Sequence, residues 1–145
     1  KILGAQALKT TLVKLRDGKA VRIKQNEEEA TYAPMIMKKD AAVDFSKTPS
    51  EIVNLLRGLN PAPVAFTYHN GKKIKLYEGF PGEETDDTDY GKIWGYFEDK
   101  GLGIVCRGGI LYIKELHAEN SRRMPVSEYM LGHKIEPGDF FKSEI

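Results

Sequence analysis

Near the start of the chain Ala5, Leu8, Leu12 and Leu15 recur at helical spacing, which puts them on one face while Lys9 and Lys14 fall elsewhere; Asp17-Gly18 supplies the stop. A lone helix with an apolar stripe normally packs against something larger, so this face is expected to want a partner. From Val21 to Asp44 the pattern breaks down. The acidic Glu27-Glu28-Glu29, then Ala30-Thr31-Tyr32-Ala33-Pro34, then Lys38-Lys39-Asp40 predict an extended linker. A second helix is better specified: Thr48 as N-cap, Pro49 at the first helical position and Glu51 three residues after Thr48 make a capping box. Ile52, Leu55, Leu56 and Leu59 form its buried stripe, and Gly58 with Asn60-Pro61 ends it.

After Pro63 the texture changes to short β-like runs separated by turn signals. Ala65 to His69 and Lys72 to Tyr77 flank Asn70-Gly71, a strong hairpin signal, with Ile74 and Leu76 on one face and Lys73, Lys75 and Tyr77 on the other. Pro81 to Asp89 is a polar acidic loop. Lys92 to Phe97, Leu102 to Arg107 and Ile110 to His117 follow as strands, with turns at Glu98 to Gly101 and at Gly108-Gly109. A short helix around Val126 to Leu131 and an extended piece after Pro137-Gly138 complete the pattern. The expected fold class is mainly β with flanking helices (α+β): a small Greek-key, OB-like C-terminal barrel preceded by a linker and two helices, with a sandwich as the competing possibility.

Composition narrows this only a little. At 145 residues, 41% hydrophobic and 30% charged, the chain has room for one compact domain and an appendage, and disorder, collagen and coiled coil are excluded. Apolar stretches such as Gly103 to Cys106 are far short of the about 20 residues a membrane span needs, so no membrane partner is expected. The opening Lys1-Ile2-Leu3-Gly4 lacks an initiator Met and a signal-like apolar core, and reads as a cut start. Cys106 is the only cysteine and sits in a strand-like setting; this fits a reducing, cytoplasmic location. The net charge of +1 hides an uneven layout: Lys1 to Lys24 carries seven bases and one acid, Glu83 to Asp89 five acids and no base.

No catalytic constellation emerges. His69, His117 and His133 lack metal-ligand spacing, and the paired glycines Gly101-Leu102-Gly103 and Gly108-Gly109 complete no phosphate loop. The acidic run lacks the spacing of a calcium loop, and nothing in the sequence brings Cys106 to His117. What does emerge is distributed positive charge: Lys38, Lys39, Lys72, Lys73, Lys75, Arg107, Arg122, Arg123 and Lys134. Such residues can neutralise phosphates without reading bases, and they can equally be solvated surface. Tyr68, Tyr77, Trp94, Tyr96 and Tyr112 offer stacking faces, although most aromatics in a small barrel are core.

Specific residues carry more. Glu29-Ala30-Thr31-Tyr32-Ala33-Pro34, Val43-Asp44-Phe45-Ser46, and Ile52 through Arg57-Gly58-Leu59-Asn60-Pro61-Ala62-Pro63 resemble the linker and interdomain helix of methionyl-tRNA formyltransferases. Gly4-Ala5 with the Leu-striped helix looks like the last helix of that family's catalytic domain. Gly71 to Tyr77, Arg122-Arg123-Met124, Gly132-His133 and Pro137-Gly138 match the motif order of its C-terminal barrel. The resemblance covers essentially the whole chain. It departs at Ala62, where the family usually has Trp, and at Val64, where it has Gly or a small residue.

The resemblance implies the following organisation: 1–20 as a helix left over from the N-terminal catalytic domain, 21–62 as linker and interdomain helix, and 63–145 as the barrel. It implies a parent that transfers a formyl group from 10-formyltetrahydrofolate to methionyl-tRNA, with the Asn-His-Asp catalytic set and the formyl-folate pocket in a Rossmann-like domain whose motifs match no position here. The chain alone is then expected to be non-catalytic and to hold no cofactor or metal. Its partners are initiator methionyl-tRNA and its own catalytic domain, the tRNA being contacted by Lys38, Lys39, Lys72, Lys73, Lys75, Arg122 and Arg123. The alternative is a structural docking module of a related formyltransferase or formyl-folate hydrolase, without RNA binding of its own.

Overall fold

The structure is a computed structural model and describes residues 2–143. The chain divides into two compact units, Lys1–Pro34 and Met35–Ile145. In the first, helix α1 (Ile2–Arg16) ends as expected: Gly18 takes the left-handed conformation at φ +67° and the Lys19 N–H donates to the Lys14 carbonyl at 2.8 Å. Its Leu8, Leu12 and Leu15 stripe buries nothing within the unit, each side chain being more than half exposed. A single 3₁₀ turn at Glu27–Glu29 follows, where Asn26 Oδ1 accepts the Glu28 N–H.

The second unit begins where extended linker is expected, yet Lys38–Ala41 is a 3₁₀ turn whose Asp40 carboxylate accepts the Met37 N–H at 2.8 Å. Ala41, Val43 and Phe45 are core residues. Backbone pairing explains the difference: Ala42 forms a parallel bridge with Phe66, and the Val43 N–H donates to the Phe66 carbonyl, a contact no local pattern encodes. Helix α2 (Pro49–Leu59) has the capping box in full, Thr48 N–H donating to Glu51 Oε2 at 2.9 Å and Glu51 N–H to Thr48 Oγ1 at 3.3 Å. Ile52, Leu56 and Leu59 are buried as expected, joined by Val53, while Leu55 is half-buried. Gly58 lies inside the helix rather than ending it; the stop comes from Asn60-Pro61, a cis peptide like Ala62-Pro63. Val64, where the resemblance leads one to expect glycine or a small residue, takes φ +67° and is buried, which is why a residue with little or no side chain suits that position.

Six antiparallel strands follow: β1 (Phe66–His69), β2 (Lys72–Pro81), β3 (Ile93–Phe97), β4 (Gly101–Cys106), β5 (Gly109–Ala118) and the two-residue β6 (Met124–Pro125), with helix α3 at Val126–Gly132. The order β1-β2-β5-β4-β3 places β2 beside β5 and leaves β3-β4-β5 as a meander, which is Greek-key connectivity. The Asn70-Gly71 turn has positive φ at both residues, as a tight two-residue hairpin requires. Alternation along β2 is as expected, with Ile74 and Leu76 fully buried under α2. Each such side chain contributes about 1.5–3 kcal/mol relative to exposure. β6, which pairs with β5 at Leu116 and Glu115, is too short to leave a sequence signal.

The last extended piece has a specific task. Tyr68 and Lys142 exchange backbone hydrogen bonds at 2.8 and 2.9 Å, while on the other side the Phe141 N–H donates to the Gly91 carbonyl and the Ile93 N–H to Asp139. The segment 139–142 therefore bridges β1 to the start of β3, joining the two outer strands of the sheet. Phe141 and His69 point inward from this seam, with ring centroids 5.3 Å apart.

Candidate nucleic-acid interface

Period-two alternation fixes what the outer face of this seam presents. Lys73 lies opposite Tyr68 and Lys75 opposite Phe66 across the first hairpin, and Lys75 lies opposite His117 on β5. Across the Tyr68–Lys142 bridge, Lys142 shares the side of Tyr68, and Phe140, two residues back, shares the side of Lys142. Phe140, Lys142, Tyr68, Lys73, Phe66, Lys75 and His117 thus belong to one face, the one opposite buried His69, Ile74, Leu76 and Phe141. Basic and aromatic side chains interleave on it: the Lys73 ammonium sits 3.5 Å from the Phe66 ring centroid, and the Phe66 and Tyr68 rings meet edge to face at 5.7 Å.

Among the described residues Lys72, Lys73 and Lys75 form no ion pair with any carboxylate. Lys73 and Lys75, with His117, Glu119 and Asn120, line a shallow hollow of about 260 Å³. This is a place where an anionic oxygen can meet two ammonium groups at once. Lys38 and Lys39 are exposed on the 3₁₀ turn that leads into the Ala42–Phe66 bridge, at the edge of β1 away from β2.

Arg122 and Arg123 are placed differently. Arg122 is hydrogen-bonded to Glu128 in the first turn of α3, and Arg123 to Glu115 of β5, with its guanidinium 4.4 Å from the centroid of Tyr77. Both are exposed, and both have a local carboxylate to answer. Arg57 forms no ion pair among the described residues and sits on the exposed side of α2.

Of the aromatics singled out in sequence, Tyr112 is core; its hydroxyl donates to Glu83 Oε1 at 2.9 Å, and burial foremost, then that carboxylate, pushes it up to about 12. Trp94 and Tyr96 are exposed on β3. Cys106 is buried, and desolvation pushes its thiol up to about 12, so it is no nucleophile at neutral pH. Among the described residues no three His, Cys, Asp or Glu side chains are grouped to hold a metal. Sequence reasoning missed Lys142, Phe140 and His117. The alternation of Phe140, Phe141 and Lys142 was there to be read, but its register depends on the bridge to β1.

Comparison with known proteins places this geometry. Residues 35–134 match the family described as formyl transferase, C-terminal domain. The methionyl-tRNA formyltransferase of Acetivibrio thermocellus is 43% identical over 138 residues, covering 94% of this chain and 44% of that protein. That of Geotalea uraniireducens is 39% identical over 144 residues, covering 94% and 43%. The chain thus spans under half the length of these relatives. Among solved structures, a HypX variant from Aquifex aeolicus superposes with a TM-score of 0.59 at 20% identity, covering 91% of this chain and 24% of that one. HypX in complex with tetrahydrofolic acid gives 0.55 over 90% of this chain and 25% of that one. At this identity the likeness concerns the fold.

Proposed function

Because the chain belongs to the formyl transferase C-terminal domain family, we propose that it is the tRNA-holding C-terminal part of a methionyl-tRNA formyltransferase. The parent moves a formyl group from 10-formyltetrahydrofolate to the α-amino group of initiator methionyl-tRNA, in the cytoplasm. The chemistry and the folate belong to an N-terminal catalytic domain that is this chain's second partner. In this reading 1–20 closes that domain, 21–62 is linker and interdomain helix, and 63–145 is an OB-like barrel. The Greek-key order and the bridge through 139–142 support the barrel.

The observation that carries RNA binding is the face on which Lys73 and Lys75 stand without ion-pair partners beside half-buried Phe66 and Tyr68, with Lys72, which lies opposite His69, exposed and equally unpaired at the neighbouring turn. It suits sugar-phosphate contact, which is shape-directed and salt-sensitive. Lys38 and Lys39 extend it along the β1 edge, while Arg122 and Arg123 reach RNA only by giving up Glu128 and Glu115.

The test is fluorescence anisotropy of labelled initiator tRNA with the 145-residue chain at several salt concentrations. Salt-sensitive binding is expected, and replacing Lys72, Lys73 and Lys75 together with glutamine lowers the log–log salt slope by about 2 to 3. Absence of binding at low salt overturns this reading in favour of a docking module, whose signature is association with a separately produced catalytic domain and no affinity for tRNA.

A further inference from the structure

A second hollow, of about 420 Å³, opens where the β1–β2 turn meets the bridging segment, bounded by Tyr68, Asn70, Asp139, Phe140 and Lys142. Its two aromatic residues come from β1 and from the bridging segment. The chain places adjacent phenylalanines very differently here: Phe141 is 2% exposed in the core, Phe140 is 43% exposed beside the hollow. A solvent-facing phenylalanine thus lines the same hollow as a half-buried tyrosine, an exposed aromatic placement that the core does not require. Around these two aromatics the groups are polar. Lys142 is exposed on the same side, Lys73 lies directly across the hairpin from Tyr68, and Asn70 offers an amide at the turn. The one carboxylate at the rim, Asp139, is occupied from within: it accepts the Glu136 N–H at 3.0 Å and lies 3.3 Å from His69 Nε2.

Two aromatic side chains bordered by cationic and amide groups have the chemistry of a site for a base that has left its stack: the π-face goes to a ring, the flanking phosphates to the ammonium groups. A continuous duplex presents only its backbone to such a site and leaves the aromatic side chains wet. We propose that the hollow between the Asn70-Gly71 turn and Phe140 seats one unstacked nucleobase of the RNA held by the lysine face. The inference rests on the RNA-binding reading above and adds to it a preference for bulged, looped or terminal nucleotides.

The experiment compares two labelled RNA duplexes of equal length, one fully paired and one carrying a single-nucleotide bulge, by anisotropy titration. The variants are Phe140→Ser, Phe140→Tyr and the triple lysine replacement. The unaltered chain is expected to favour the bulged RNA by about tenfold, the scale of one base–aromatic stack. Phe140→Ser removes that preference by lowering affinity for the bulged RNA about tenfold more than for the paired duplex, and Phe140→Tyr keeps it. Because Phe140 is outside the core, circular dichroism of Phe140→Ser is expected to match the unaltered chain. Equal affinity for both RNAs, or a preference that survives Phe140→Ser, overturns the base site but leaves the lysine face standing, provided the triple replacement still lowers the salt slope. Failure of the chain to bind either RNA at low salt overturns both.

Discussion

His69 Nε2 and Asp139 Oδ2 lie 3.3 Å apart across 70 positions of sequence, joining β1 to the segment that bridges the outer strands. The Asp139 carboxyl is held below its usual range, chiefly by the Glu136 backbone N–H and secondarily by His69. A lowered folded-state value means that this carboxylate's stabilisation is fully present above its unfolded value of about 3.9 and is lost progressively as pH falls from there through the lower folded value. Asp139→Asn is therefore expected to cost about 1 kcal/mol at pH 7 and to flatten the acid limb of the stability curve. Urea melts of both forms between pH 7 and pH 3 check this. Parallel curves would mean that the carboxylate plays no part at the seam.

The seam is also tight on its other side. A Cβ on Gly91 would lie 2.3 Å from the Phe141 carbonyl oxygen, and the residue sits at φ +88°. Gly91→Ala must shift backbone that carries the Phe141–Gly91 hydrogen bond, so a loss of about 2–4 kcal/mol is expected. Gly58, in the exposed interior of α2 with nothing within 4 Å of its Cβ position, is the control. Gly58→Ala should stabilise by about 0.5–1 kcal/mol. Denaturant midpoints of the two variants are expected to move in opposite directions.

The α2 cap gives a third handle. Thr48 and Glu51 satisfy each other's backbone N–H, and the Glu51 carboxyl is held low mainly by the Thr48 N–H. Thr48→Ala is expected to lower stability by about 1 kcal/mol and Thr48→Ser to leave it nearly unchanged, measured by thermal melts at neutral pH.

These three sites differ in how legible they are from sequence. The cap is local, and Thr48-Pro49-Ser50-Glu51 states it outright. So does Asn70-Gly71 between Ile74 and Leu76 on one side and Ala65 to His69 on the other, because hairpin register and alternation are properties of neighbouring residues. The seam is not local. Nothing in Asp139 to Lys142 announces that it pairs with Tyr68 and Gly91, so the inward turn of Phe141 and the outward turn of Phe140 follow only from long-range pairing. For the same reason the lysines of β2 could be assigned a face from sequence, whereas the carboxylates that occupy Arg122 and Arg123 could not be foreseen. The Leu8, Leu12 and Leu15 segment reads correctly as a helix, but its stripe buries nothing within its own unit.

The contrast between lysines and arginines yields the last expectation. Lys72, Lys73 and Lys75 have no carboxylate partner among the described residues, while Arg122 and Arg123 answer Glu128 and Glu115. A cation that must break an ion pair to reach a phosphate returns a carboxylate to solvent and releases less counterion charge overall. Each productive lysine contact should take about 0.7 to 0.9 from the log–log salt slope of RNA binding when it is removed. Replacing Arg122 and Arg123 together with glutamine is therefore expected to change the slope by less than replacing any two of the three lysines. Because exposed ion pairs contribute about 1 kcal/mol at most, the arginine variant should remain folded. Glu115→Gln, which frees Arg123 over Tyr77, is expected to raise affinity at low salt. If the arginine pair removed as much slope as two lysines, the RNA would have to run along β6 and α3 as well as along the hairpin and its seam.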